Sequence, residues 1–171
     1  MGGLTLPRPL EANDDRNVFD CGREPLNHWF RRYAWHNQQD GTSRTSVIID
    51  AANMAVAGYV TLVASQIERD YLPKPAQRNR PDPIPAILLG QLAVDQRYQG
   101  YGCARSLMLF GLRTALRLSD DIGCYGVVTH PLDEDVRAFY RGFGFQDLPF
   151  DPGRAMIIRI MDLKQNSPGR N

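Results

Sequence analysis

The chain has 171 residues, 20 Lys and Arg against 19 Asp and Glu, and 43% hydrophobic residues, the size and balance of one ordinary globular domain. A formal net charge of +1 excludes a global polybasic signal, so any basic surface must be local. Three cysteines, Cys21, Cys103 and Cys124, are odd in number and lack C-x-x-C spacing, which excludes a disulfide scaffold and points to reduced thiols in the cytoplasm.

The start, "MGGLTLPRPL", has no basic-then-apolar leader pattern and carries Leu6 where a myristoylation motif needs Ser or Thr. No apolar run reaches the roughly 18 residues of a membrane span, so no membrane anchor is expected. Residues 24–37, "EPLNHWFRRYAWHN", place Leu26, Trp29, Phe30, Tyr33 and Ala34 at steps of three and four, predicting a helix with Arg31, Arg32 and His36 off its apolar face. "RTSVIID" (44–50) and "VAGYVTLVASQI" (56–67) are rich in β-branched residues and predict an antiparallel hairpin, its connection including Asn53 and ending near Gly58.

Residues 70–85 hold five of the twelve prolines and predict a long irregular loop, either functional or a solvated linker, with Lys74, Arg78 and Arg80 on it. "AILLGQLAV" (86–94) is too uniformly apolar for an exposed strand and predicts a central one. The helical spacing of 103–118 follows, then a buried strand at 124–130. A short acid-started helix comes next over 133–145, ending at Gly142 or Gly144, and then a last strand at 155–163 and a frayed tail from 164. The strand–helix–strand unit implies parallel pairing and the hairpin antiparallel pairing, so the expected fold is α/β (α+β), a mixed sheet with flanking helices.

"RYQGYG" (97–102) lies between the central strand and the long helix. Glycines there adopt backbone angles closed to other residues, and a helix start offers unpaired N–H groups and a positive dipole end, which together make an anion site. A Walker loop is excluded because no Gly-Lys pair exists, and a dinucleotide fingerprint because Arg105 stands where its third Gly belongs. What remains, Arg97, Gly100 and Gly102 as R-x-x-G-x-G, resembles the acyl-CoA pyrophosphate loop of the GNAT superfamily of N-acetyltransferases, as does the element order over roughly residues 15–165.

"VRAFYRGFGF" adds a second likeness, with Ala138, Phe139, Tyr140, Gly144 and Phe145 in the pattern of that superfamily's late helix. The resemblance implies that Tyr140 protonates the leaving CoA thiolate; a phenol, with an unperturbed pKa of about 10, is still protonated when a thiol has ionised. The alternative is a packing tyrosine whose hydroxyl reaches a backbone carbonyl. The resemblance also implies acetyl-CoA as cosubstrate. Leu92, Ala93 and Val94 then hold the acetyl carbonyl, and Arg97, Gln99, Gly100, Tyr101, Gly102, Cys103 and Ala104 face the pyrophosphate, with Phe139 beside the acid.

A narrower resemblance runs through "FDCGREPLNHWFRRYAWHNQQDGTSRT", "GYVTLVA", "RPDPIPAILLGQLAVDQRYQGYG" and "HPLDEDVRAFYRGFGF". These stretches look like the tRNA-acetylating toxins of bacterial type II toxin–antitoxin systems. That implies acetyl transfer to the α-amine of aminoacyl-tRNA and a halt in translation. It also implies a homodimer, a ribbon-helix-helix antitoxin, and operator DNA bound only through that antitoxin. Arg31, Arg32, Arg44, Lys74, Arg78 and Arg80 are the candidate tRNA contacts, each alone an ordinary surface charge. The sequence departs from the toxin pattern at Ser46, Gln91, Tyr101, Cys103 and Ala104. An acetyltransferase for a small amine or a protein N-terminus, and an inactive CoA-binding or RNA-binding module, are the competing readings. No metal is expected from His28, His36, His130 and Cys21, which lack ligand spacing. A nucleophilic role for Cys103 needs a low-pKa thiol.

Overall fold

The computed structural model describes residues 3–166, so the tail expected to fray lies outside the described residues from position 167 onward. The chain forms two compact units, one from the stretch up to Val63 with Leu89–Gly111, the other from Ala64–Leu88 and the chain after Gly111. Seven strands follow the order β1-β2-β3-β4-β5-β7-β6: β1 (Arg8–Pro9), β2 (Arg44–Asp50), β3 (Ala55–Ile67), β4 (Ile84–Val94), β5 (Gly126–Thr129), β6 (Gln146–Asp147) and β7 (Met156–Arg159). β4 and β5 run parallel, while β1 and β2, β2 and β3, β5 and β7, and β6 and β7 pair antiparallel, giving the mixed sheet that the sequence order predicts.

In the first unit the predicted N-terminal helix is one helical run of three parts, α1 (Glu24–Trp29), a π-helical stretch (Phe30–Ala34) and α2 (Trp35–Asp40). It continues three residues past the predicted end, from Asn37 to Asp40, and stops at Gly41, whose φ of 81° is the left-handed cap that glycine supplies. Phe30 and Ala34 are buried, and the Phe30 ring stacks on Tyr59 at 4.3 Å. Tyr59 in turn donates its hydroxyl to the Leu26 carbonyl at 2.8 Å. Tyr33, placed on the apolar face by 3.6-residue spacing, is 48% exposed, because the wider π turn carries it off that stripe.

The hairpin pairs Arg44 with Leu62 through Asp50 with Ala55, with a register shift between Ile48 and Ile49. Its turn closes at 51–54, so Gly58 lies inside β3 and not in the connection. There a Cβ would meet the Ala93 carbonyl oxygen at 3.0 Å, which explains the glycine by close backbone approach.

α3 (Lys74–Gln77) and a 3₁₀ turn at Arg69–Tyr71 break up the segment that proline content marks as irregular. Leu72 buries against Ile84, Ala86 and Leu148, so this segment is anchored to the second unit's core. α4 (Cys103–Leu118) buries Leu107, Met108 and Ala115. α5 (Glu134–Gly142) begins on Asp133, whose carboxylate accepts from the Val136 amide at 2.9 Å. It ends where Gly144, at φ 99°, donates to the Arg141 carbonyl and Phe145 to that of Tyr140, the two reciprocal bonds of a Schellman cap.

The predicted strand over 155–163 holds only to Arg159. α6 (Ile160–Gln165) takes the rest, including Lys164 and Gln165 of the expected tail, and an Arg159–Asp162 ion pair at 2.8 Å secures its first turn. A short apolar run fits either element, and periodicity does not separate them. β1 and β6 were not expected, since two residues carry no alternation to read.

Gly126 sits where a Cβ would lie 2.7 Å from the Ile158 carbonyl, while nothing lies within 4 Å at Gly123. Gly126→Ala is therefore expected to cost about 1–3 kcal/mol, lowering Tm by roughly 2–4 °C per kcal/mol. Gly123→Ala leaves the melting curve in place; equal shifts in the two variants count against the close contact.

Candidate functional site

Between β4 and α4 the chain does not pass directly from strand to helix. Asp95 caps a 3₁₀ turn at Gln96–Tyr98, and the two glycines come after it. Asp95 is 1% exposed. Its carboxylate accepts from the Arg97 amide at 2.9 Å, from the Asp20 amide at 3.1 Å, and from both Nε and Nη2 of Arg97 at 2.9 Å. Burial alone would raise this carboxyl; the Arg97 guanidinium and the two amides overcome it and hold the group below the usual carboxylate range.

Three more ties secure the same turn. The Gln96 amide donates to the Asp20 carbonyl at 2.9 Å, the Gln99 side chain to the carbonyls of Val94 and Cys21 at 3.1 and 3.3 Å, and the Tyr98 hydroxyl to Asp50 at 2.8 Å. The Asp20 carboxylate is itself engaged by the Gly22 amide and the Asn27 side chain at 2.8 and 2.9 Å.

The loop thus held carries Gly100 at φ 84° and Gly102 at φ 83°, a conformation that costs L-residues about 1–2 kcal/mol. A Cβ at either position would meet no protein atom within 4 Å, so the backbone is open on that side. Tyr101 between them is 55% exposed, and the helix that follows has first-turn amides without intrahelical acceptors. Of the other residues assigned to this site, Leu92 and Ala104 are half-buried, and Ala93, Val94 and Cys103 are buried. Burial pushes the Cys103 thiol up, the opposite of what a nucleophilic thiolate requires. Arg97 and Gln99 spend their side chains on the protein, leaving the main chain as what the loop presents.

In the second unit Tyr140 lies in the last turn of α5, 5% exposed, its ring edge-on to Phe139 at 5.7 Å and Phe145 at 5.2 Å. A hydrogen bond joins its hydroxyl to the Thr129 side chain at the end of β5. Desolvation raises the phenol's pKa and the Thr129 bond opposes it only in part. Buried Arg137, on the same helix, bonds Asp147 at 2.7 Å and the Arg154 carbonyl at 2.8 Å, fixing α5 against its own unit.

Sequence reasoning missed Asp95, Thr129 and Arg137. Asp95 left a usable signal, an acid at the cap position after a strand. Thr129 left none, because a threonine in a strand is ordinary.

The basic candidates fall in both units. In the first, Arg31 bonds the Phe19 carbonyl at 2.8 Å, Arg44 bonds the Gln38 carbonyl at 2.8 Å, and Arg32 is exposed. In the second, Arg80 lies over the Tyr125 ring at 4.5 Å, and Lys74 and Arg78 are exposed. Among the described residues no three His, Cys, Asp or Glu side chains are grouped to hold a metal ion, and no helix is long and apolar enough to cross a membrane.

No family model matches the chain. It is 32% identical over 158 residues to a tRNA-acetylating toxin of Mycobacterium tuberculosis, a match covering 92% of this chain and 94% of that one. It is 30% identical over 159 residues to a probable toxin TacT of Sinorhizobium fredii, covering 87% and 88%. Among solved structures, AtaT complexed with acetyl-methionyl-tRNAfMet superposes with a TM-score of 0.87 at 28% identity, covering 95% of this chain and 98% of that one. AtaTR bound with AcCoA gives 0.81 at 26% identity, covering 96% and 98%. A KacTA–DNA complex gives 0.79 at 28% identity, covering 95% and 97%.

Removing the Asp95 carboxylate frees both the Asp20 amide and the Arg97 guanidinium. Asp95→Ala is expected to weaken coenzyme A binding about tenfold, or about 1.4 kcal/mol, and Asp95→Asn less. Calorimetric titration with coenzyme A checks this, and unaltered affinity in both variants removes Asp95 from the site.

Proposed function

We infer the function of this chain from its family: it belongs to the tRNA-acetylating toxins, acetyltransferases of GNAT fold. It transfers the acetyl group of acetyl-CoA to the α-amine of aminoacyl-tRNA, which blocks that amine for peptide-bond formation and inhibits translation. The near full-length match to a tRNA-acetylating toxin carries this conclusion.

In the reading we propose, the backbone amides from Gln99 through Ala104 bind the pyrophosphate of acetyl-CoA, with Gly100 and Gly102 supplying close main-chain approach. Arg97 supports the loop through Asp95. Amides of Leu92, Ala93 and Val94 receive the acetyl carbonyl and the oxyanion that develops on it. The amine nitrogen adds to that carbonyl and the C–S bond breaks. Tyr140, flanked by Phe139, gives its hydroxyl proton to the departing thiolate, and the acylated nitrogen releases its own proton to water. An α-amine with an unperturbed pKa of about 8 is partly neutral at pH 7 and needs little help from a base.

Arg31, Arg32, Arg44, Lys74, Arg78 and Arg80 are assigned to tRNA. Arg32, Lys74 and Arg78 are the stronger candidates for direct phosphate contact, because Arg31, Arg44 and Arg80 already bond the fold. Affinity for tRNA then falls steeply with salt. The whole chain acts as one acetyltransferase domain in the cytoplasm, as a homodimer. A ribbon-helix-helix antitoxin neutralises it and carries the complex to operator DNA; AtaTR and the KacTA–DNA complex support this partner class.

Labelled acetyl-CoA incubated with charged tRNA and with small amines tests the reaction. Label is expected on charged tRNA, and label only on small amines overturns the toxin reading. Tyr140→Phe is expected to lower kcat about 10²–10⁴-fold and to relieve growth arrest on expression without a partner. Because burial raises the pKa of Tyr140, its proton is retained on the alkaline side, and kcat should not fall through loss of that proton below about pH 10. A kcat in Tyr140→Phe equal to that of the parent excludes Tyr140 as the acid.

A further inference from the structure

The helical run from Glu24 to Asp40 turns one aromatic residue outward. Trp29, Phe30 and Trp35 pack against the first unit's core, whereas Tyr33 is 48% exposed. Its ring meets exposed His28 edge-on at 6.0 Å, and its hydroxyl has no hydrogen-bond partner among the described residues. A tyrosine in this state contributes little to the fold it sits on. The turn that presents it, Phe30–Ala34, is π-helical, a conformation that is rare and that occurs frequently at functional sites.

The same side of the run is cationic. Helix positions three and four apart are neighbours, which places exposed His28, Arg32 and His36 in one row beside Tyr33. The two carboxylates of the run are already engaged, Glu24 by Arg31 at 3.5 Å and Asp40 by His36 at 3.4 Å. Arg32 has no hydrogen bond or ion pair among the described residues. An exposed ring next to an uncommitted guanidinium suits single-stranded nucleic acid, the ring by stacking on a base and the cation by pairing with a phosphate. A protein–protein contact would instead surround such an anchor with apolar residues.

The run is fixed relative to the glycine loop within the first unit. Phe30 and Ala34, on the inner side of the turn that carries Tyr33, share one core cluster with Ala93, a residue assigned above to the acetyl carbonyl. The Asn27 side chain bonds the Cys21 amide and the Asp20 carboxylate at 2.9 Å each, and the Asp20 amide bonds Asp95. A helix with its side chains is about 10–12 Å across, the length of about three nucleotides at roughly 3.4 Å each. A base on Tyr33 and an acetyl acceptor at Ala93 therefore fit within one short single strand. The amino acid of an aminoacyl-tRNA is esterified to such a strand, the unpaired 3′ end.

We propose that Tyr33 is a stacking platform for an unpaired base near the 3′ end of the tRNA, with Arg32 on a neighbouring phosphate. The proposal rests on the aminoacyl-tRNA reading and adds a base contact to its phosphate contacts.

The test titrates the full-length chain with a tRNA carrying 2-aminopurine in its unpaired 3′ end, and with a blunt RNA duplex that lacks unpaired bases. Fluorescence of the probe is expected to fall on binding to the parent and to Tyr33→Phe, which keeps the ring, and not on binding to Tyr33→Leu. Tyr33→Leu should weaken tRNA binding about tenfold relative to the duplex; a ratio within one protein cancels any loss of folded material. Arg32→Gln should instead lower the slope of log affinity against log salt by about one, a slope that Tyr33→Leu leaves alone. A ratio in Tyr33→Leu equal to the parent's, or a quench that survives in that variant, overturns the platform and leaves the function standing. An equal ratio together with a changed sedimentation mass shows that this face joins two copies of the chain, and overturns the platform as well. A parent that acetylates small amines and no charged tRNA overturns the function itself, and the platform with it.

Discussion

One buried carboxylate organises the glycine loop of the first unit. Asp95 takes hydrogen bonds from the Asp20 amide in the segment before α1, from its own turn at Arg97, and from two nitrogens of the Arg97 guanidinium. Left without those donors, a charge at 1% exposure would be strongly unfavourable. With them, it fixes where β4 ends and how the following glycines emerge. The arginine that a motif reading assigns to the phosphate is therefore largely committed before any ligand arrives. In its proposed role the loop instead offers amides whose positions are set by the backbone, a form of anion recognition that requires little rearrangement on binding.

The second unit reaches comparable rigidity by different means. α5 has an acid cap at its start, a Schellman cap at its end, and Arg137 clamped to Asp147 and Arg154 in between. A nine-residue helix has little intrinsic stability, so these attachments and the packing of Tyr140 and Phe145 hold it.

Much of this was legible in the chain, and what was missed has identifiable causes. Long elements with a clear period, such as 44–50 and 103–118, lie where the pattern puts them. Gly100, Gly102 and Gly144 were readable because positive φ is a demand that few other residues meet. Gly58 was misread as part of a turn because close approach of another strand is a tertiary fact that leaves no local mark. The π stretch hid for a similar reason: Phe30–Ala34 keeps helical composition, and only the outward Tyr33 betrays the wider turn. At the site, the sequence pointed to Arg97 and Tyr140 but not to what holds them. Asp95 and Thr129 act through partners distant in the chain, or through an ordinary position in a strand.

The end of α5 has a consequence for the timing of its ordering cost. The Tyr140 carbonyl receives the amides of Phe143 and Phe145, and its ring is wedged between aromatic neighbours, so the phenol has almost nowhere to go. In its proposed role as proton donor, the freedom it would otherwise surrender at every turnover is given up once, when the polypeptide folds.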